Sequence, residues 1–368
     1  MKRNLAFILL VFMQFSLVPV SEAQQAPFSR GVNLTSWFQA RSIREVRFSK
    51  YTQKDFIRIK QLGADVIRLP INLHYMTDGA PEYRIDPLFF ERLDQVVSWA
   101  DELGLYLILD NHTFHPTRST DPGIGDILEK VWVQMAGHYS QASRFLVYEI
   151  LNEPHGIADD VWNNIQENII SVIRRYDTRH PIMVGPSGYN SYNNLAAMPR
   201  YEDNNLIYTF HFYDPFLFTH QGATWTDPSM GELTGVPFPY DAQHMPDLPS
   251  SLHSTWVGDN YRSYPANGNV QQVKSLIDIA EKFRDERKVP LFCGEFGVLM
   301  TYSRDSDRAF WYEEVRKYLE EKQIAWTTWD YHGGFGLFRK GTSGRFDRHL
   351  NTRLITALGF NIPDGYVQ

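Results

Sequence analysis

Glu102-Leu103-Gly104-Leu105-Tyr106-Leu107-Ile108-Leu109-Asp110-Asn111-His112 is the stretch that decides the fold. An amphipathic pattern over 88–103 stops at Gly104, the residue type best suited to follow a helix because it lacks a Cβ. The apolar run 106–109 comes next, too short for a helix and suited to a strand covered on both faces. It closes on the polar pair Asn111-His112. Outward in both directions the same unit recurs, with Gly63 standing before a second strand as Gly104 stands before the third. Strands are predicted at 31–34, 66–69, 106–109, 145–151, 181–184, 206–212, 289–293 and 325–329. Helical patterns lie between them at 54–62, 88–103, 127–138, 161–176, 270–283 and 307–321. Alternation of this kind builds a parallel sheet, and eight strands point to an α/β fold, a single (β/α)8 TIM barrel. An open doubly wound sheet would carry a Gly-rich phosphate turn after its first strand, and Gly31-Val32-Asn33-Leu34-Thr35-Ser36-Trp37 has none. Residues 215–265, rich in Pro, Gly, Trp and His, break the pattern and are expected to form a long loop after strand 6, over the catalytic face.

The chain has 368 residues, 43% of them hydrophobic and 21% charged, with a net charge of −7. No basic stripe is present, which argues against nucleic acid as a partner. Aromatic residues make up 14% of the chain, enough for a large core and for ring faces that pack on pyranoses. Lys2 and Arg3, the apolar run 5–18 and Ser21-Glu22-Ala23 have the layout of a secretory signal peptide, residues 1–23, with cleavage expected after Ala23. A retained anchor is the alternative, but the run is short for a spanning helix. A secreted or periplasmic protein is expected, with residues 24–368 forming the catalytic domain, free of the membrane after signal cleavage. The single cysteine, Cys293, lies in an apolar stretch, so disulfides do not hold the fold.

Polar residues end nearly every predicted strand: Arg68, Asn111-His112, Asn152-Glu153-Pro154, His211 and Tyr213, Glu295, and Trp329-Asp330. Strand ends of a barrel converge on one face, so Glu153 and Glu295 become neighbours. Two such glutamates suit glycosidic bond cleavage, one protonating the leaving oxygen while the other attacks the anomeric carbon. A carboxyl separation of about 5–5.5 Å gives retention of configuration and about 6.5–9.5 Å gives inversion. Their environments must differ so that one is protonated and the other ionised, and Arg68 is a cation suited to the ionised partner.

Arg30-Gly31-Val32-Asn33, Ile67-Arg68-Leu69-Pro70, Asn152-Glu153-Pro154, His211-Phe212-Tyr213, Gly294-Glu295-Phe296-Gly297 and Trp329 occur in that order. Together they resemble glycoside hydrolase family 5, which includes many cellulases, from about residue 30 to 358. The resemblance implies that Glu153 is the acid/base and Glu295 the nucleophile, with Asn152 bonding the sugar 2-hydroxyl. It also implies that Arg68 and Tyr213 lie beside Glu295, that His112 and His211 line the subsite around the scissile bond, and that Trp329 gives the sugar a stacking floor. Trp37, Trp225 and Trp256 are candidate subsite platforms.

Two other readings compete. His74, His112, His115 and His211 invite a metal-dependent hydrolase, but the His-x-x-x-His spacing is absent and no metal or cofactor is expected. A silent sugar-binding barrel would be expected to have lost one glutamate, and both are present. The substrate expected is β-1,4-linked glucan, of cellulose or mixed-linkage type, because Trp329-Asp330-Tyr331-His332-Gly333-Gly334-Phe335-Gly336 resembles the last-strand loop of glucanases. Mannan, xyloglucan and β-1,3-glucan are the alternatives. No partner protein is implied, and a monomer is expected.

Overall fold

A computed structural model describes residues 25–367; the expected signal peptide at 1–23 lies outside the described residues. Eight parallel strands close into a barrel in sequence order. They are β1 (Arg30–Asn33), β2 (Val66–Ile71), β3 (Tyr106–Asn111), β4 (Leu146–Glu149), β5 (Ile182–Val184), β6 (Leu206–Phe212), β7 (Leu291–Phe296) and β8 (Ala325–Thr328). The expected barrel is thus observed, with strand ends moved by a few residues. The helix before β3 runs over Pro87–Leu103. Asp86 caps it by accepting from the Leu88 N–H at 2.9 Å, Pro87 fills the first position, and Gly104 ends it at φ +61°. No described helix is long and apolar enough to cross a membrane.

Alternation along the strands layers the barrel interior. Val66, Ile108, Val147, Met183, Ile207, Phe292 and Ala325 pack together as one apolar layer. Two residues further along their strands come Arg68, Asp110, Glu149, Thr209 and Thr327, all buried. The outer strand faces pack on the surrounding helices in the main core. A register shift between β6 and β7 sets Phe210 opposite Cys293 but His211 opposite Glu295, so Gly294 is the extra residue. A Cβ at Gly294 would lie 2.9 Å from Thr209 Oγ1 and 3.1 Å from His211 Nε2. Glycine there lets the bulge form and turns Glu295 towards His211.

Two stretches interrupt the regular strand–helix alternation. After β5 no full helix forms, and the 3-10 segment Tyr192–Ala197 takes its place. Residues 215–265 are not a plain loop: they include a helical turn at Phe216–Thr219, a 3-10 turn at Ser250–Leu252 and most of the helix Trp256–Asn267. That helix has Gly258 and Pro265 inside it, which hides it from a propensity reading. Pro265 sits in the last turn. Thr255 caps the start by accepting from the Val257 N–H at 3.2 Å.

Candidate active site

Arg68 is fully buried at the centre of the upper barrel layer. Its Nε and Nη2 donate to the two oxygens of Glu149 at 2.7 and 2.8 Å, and Nη2 also reaches Asp110 Oδ2 at 3.0 Å and Asn152 Oδ1 at 2.8 Å. Nη1 donates to Glu295 Oε1 at 2.7 Å and to Asn33 Oδ1 at 3.1 Å. The other oxygen of Glu295 accepts from the Tyr213 hydroxyl at 2.8 Å. Each oxygen of Glu295 therefore has a strong donor, the pattern an ionised carboxylate requires. Burial, reinforced by Glu295 and Glu153, holds the Tyr213 phenol far above its ordinary value, so it stays a donor.

Glu153 sits in a different environment. Its backbone takes φ +46°, a costly left-handed conformation for glutamate, just after the end of β4. Its side chain keeps 15% exposure, and Oε1 pairs with His211 Nδ1 at 2.7 Å. Burial pushes the Glu153 carboxyl up to about 7. It lowers His211 and His112 to about 4, so both imidazoles are neutral near pH 7. His211 Nδ1 is 3.6 Å from Glu295 Oε2, and one oxygen of Glu153, one of Glu295 and a ring nitrogen of His211 all lie within 4.8 Å of one another. Two carboxyls this close, in such different surroundings, have the arrangement needed for a proton donor and a nucleophile acting on one atom pair. The same three residues are also the one group of potential metal ligands among the described residues. Both oxygens of Glu295 there already accept from the Arg68 and Tyr213 donors.

His112 Nδ1 pairs with Asp110 Oδ2 at 2.7 Å, and its ring stacks on Trp329 with centroids 5.5 Å apart at 15°. Arg68, Asn152, Tyr213 and Glu295 thus form one hydrogen-bonded network, and the Glu153–His211 pair stands against it, with His211 Nδ1 3.6 Å from Glu295 Oε2. His112 joins it through Asp110, and Trp329 lies against His112. Trp37 does not belong, and the expectation of a platform there is corrected. It is 2% exposed and packs on Phe38, Phe48, Tyr51 and Trp99, its ring stacked on Trp99 at 6.5 Å and 8°. Ser36, at φ +55°, turns the chain so that Trp37 enters this aromatic cluster. Trp225 and Trp256 are 45% and 39% exposed.

Sequence reading passed over Asn33, Asp110 and Glu149. Strand alternation could have found them: Asp110 lies two residues before His112 and Glu149 four before Glu153, both on the inward face. Burial raises Asp110 to about 7 against the pull of Arg68, and raises Glu149 as well. Three carboxyls share one guanidinium, and the upward shifts of Asp110 and Glu149 favour protons on those two. Beside Glu153 opens a cleft of about 620 Å³, lined among others by Tyr189, His211, Tyr213, Trp225 and Trp256.

Comparison with known proteins agrees with this geometry. The model of the family described as Cellulase (glycosyl hydrolase family 5) matches residues 22–334. Endoglucanase 3 of Fibrobacter succinogenes is 28% identical over 347 residues, 88% of this chain and 52% of that protein. Endoglucanase C of Acetivibrio thermocellus is 28% identical over 321 residues, 83% of this chain and 91% of that protein. This chain thus spans about half the length of the first and most of the second. The endoglucanase Cel5A of Thermotoga maritima is 26% identical, with a TM-score of 0.74 over 90% of this chain and 96% of that one. Cel5A is also described in complex with mannotriose.

Proposed function

Because this chain belongs to glycosyl hydrolase family 5, the cellulase family, we propose that it cleaves β-1,4-linked glucan with retention of configuration. Glu295 attacks the anomeric carbon. Glu153 first protonates the leaving oxygen and then, as base, activates the water that releases the sugar. The observation that carries this reading is the pair itself: oxygens of Glu153 and Glu295 within 4.8 Å, with Arg68 and Tyr213 donating to one and a neutral His211 beside the other. Retention goes with carboxyls about 5–5.5 Å apart and inversion with about 6.5–9.5 Å, and oxygens this close favour the first. Asn152 Oδ1 accepts from Arg68, and its buried Nδ2 has no partner, a donor available to a sugar hydroxyl.

Glucan is favoured by the endoglucanase names of the relatives and by the loop after β8. Mannan is the second reading, favoured by the mannotriose complex of Cel5A. Export belongs to the same proposal and rests on residues 1–23; a mature N-terminus at Gln24 in the secreted protein is its check.

The direct test is reducing-sugar release from barley β-glucan, carboxymethylcellulose, glucomannan, xyloglucan and laminarin, with proton NMR of the first-formed ends. Release from the β-1,4-glucans with the β anomer appearing first is expected. An initial α anomer would mean inversion, and release from glucomannan alone would move the substrate to mannan.

The pH profile is a second expected outcome. The free enzyme needs Glu153 protonated, and its carboxyl titrates at about 7. On the alkaline side kcat/KM is expected to fall about tenfold per pH unit above that value. A profile flat to pH 9 would remove Glu153 from the role of acid.

A further inference from the structure

Glu153 reaches the site from a backbone conformation that disfavours it. Its φ of +46° lies in the left-handed region, where a side chain crowds the following carbonyl oxygen. The ring of Pro154 restricts the residue before it still further. Strain of this kind persists only where surrounding contacts impose it. His155 makes that contact. Its Nδ1 lies 2.9 Å from the backbone oxygen of Glu153, and no other group among the described residues donates to that oxygen. A carbonyl oxygen only accepts, so Nδ1 carries the proton.

His155 is itself fixed from several sides. Its ring is 4% exposed, stacked on Tyr189 at 4.0 Å and 12° and met edge-on by Phe114 at 6.1 Å and 87°. Its backbone pairs with Thr120 in both directions. The Thr120 N–H donates to His155 O at 2.8 Å, and the His155 N–H donates to Thr120 Oγ1 at 3.1 Å. Gly156 follows at φ +64°, and a Cβ there would lie 2.6 Å from Ser119 Cβ, so glycine permits this close approach of the segment after β3. The Tyr189 N–H donates to Pro154 O at 3.1 Å. Nε2 of His155 is buried and has no partner among the described residues. Phenylalanine would fill the same aromatic slot without that unpaired nitrogen, so what the imidazole adds is the single bond to Glu153 O. The other end of Glu153 is held by His211, whose Nδ1 is 2.7 Å from Oε1. The turn Ser187–Asn190 touches both histidines, since Asn190 Nδ2 lies 3.5 Å from His211 Nε2.

We propose that His155 is a positioning residue: its Nδ1–H bond holds the backbone of Glu153 in the left-handed conformation that aims the carboxyl at the leaving oxygen. The inference rests on the role of Glu153 proposed above. The test compares kcat/KM on cellotetraose, whose departing sugar needs a proton, with kcat/KM on 2,4-dinitrophenyl β-cellobioside, whose leaving group departs without one. His155→Phe keeps a stacked ring and removes the bond. Because a misplacement of about 1 Å can cost on the order of 100-fold, the ratio of the first constant to the second is expected to fall about 30-fold or more. His155→Asn sets its Nδ2 where Nδ1 stood and should hold the ratio within about threefold of the wild type. The alkaline limb of the His155→Phe profile should also move to lower pH, because a displaced carboxyl loses the burial that raises it. The ratio does not depend on the amount of folded enzyme, and His155→Leu, which also lacks the donor, gives the same readout where the phenylalanine variant does not fold. Glu153→Ala is the reference. A collapsed ratio in Glu153→Ala beside an unmoved ratio in His155→Phe would overturn the positioning role alone, as would a ratio in His155→Asn as low as in His155→Phe. An unmoved ratio in Glu153→Ala would overturn Glu153 as the acid and this inference with it.

Discussion

Glu295→Ala is expected to lose on the order of 10⁵-fold or more in kcat on every substrate the wild type cleaves, because in the proposed mechanism it removes the attacking atom itself. The fold should survive. Arg68 keeps Glu149 and Asp110 as partners at 2.7 to 3.0 Å, so the guanidinium is not left unpaired, and the truncation opens space beside the cleft. That space makes a sharper test possible. Azide supplied to Glu295→Ala can enter from the vacated face and attack an aryl β-cellobioside, whose leaving group departs with little help from an acid. The product should be the α-glycosyl azide, formed by a single displacement. Azide rescue of Glu153→Ala should instead give the β-glycosyl azide, since Glu295 still forms the covalent intermediate and azide replaces water in the second step. Swapped azide configurations would exchange the two roles, and a Glu295→Ala enzyme retaining a tenth of the activity would exclude Glu295 as nucleophile.

The barrel was legible because each strand is an apolar run shorter than a helix and preceded by a helix end, as at Gly104 before β3. The strand ends were legible for the same reason, since Asn152, Glu153, His211 and Glu295 stand where an apolar run stops, whereas Arg68 lies inside β2, followed by Leu69-Pro70-Ile71. What lies inside the strands was harder to read. Asp110 and Glu149 interrupt runs that otherwise look like core, and only the two-residue alternation from Ile108 and Val147 assigns them to the interior. Trp37 shows a different limit. Whether an indole is a platform or a core ring depends on its neighbours, and Phe48, Tyr51 and Trp99 approach it from separate parts of the chain. The helix Trp256–Asn267 was hidden by its own glycine and proline. Gly258 is there because a Cβ would lie 2.4 Å from His253 O, a tertiary constraint with no periodic signal. The bulge at Gly294 was hidden as well, because a register shift belongs to a pair of strands and not to either one.

Arg68→Met is expected to be the most destabilising single substitution in the site, and the reason is the imbalance it exposes. In the wild type one guanidinium pairs directly with Asp110, Glu149 and Glu295, and although burial is the largest single influence and opposes its charge, the three carboxyls together outweigh it. Methionine fills much of the same volume but leaves the carboxyls without a cation, and breaking a buried pair in this way costs about 3–5 kcal/mol. The loss should depend on pH with a definite sign. Asp110 already titrates at about 7 in the fold against an ordinary 3.8. The native state therefore binds more protons than the unfolded chain between those values. The contribution of Asp110 is fully present below about pH 4 and is lost as pH rises through 7. Removing Arg68 takes away the influence that lowers Asp110 and Glu149, so the deficit of the variant should be largest near pH 8 and shrink to roughly half by pH 5. Urea unfolding of both proteins at the two pH values reads this directly. Arg68→Lys keeps the charge but lacks the fork that serves Glu149 and Glu295 together, and should fall between the two. Equal unfolding midpoints for wild type and Arg68→Met at pH 8 would mean that the carboxyls are already protonated without the guanidinium. Glu295 would then not be held ionised by Arg68, and the division of labour between the two glutamates would need another source.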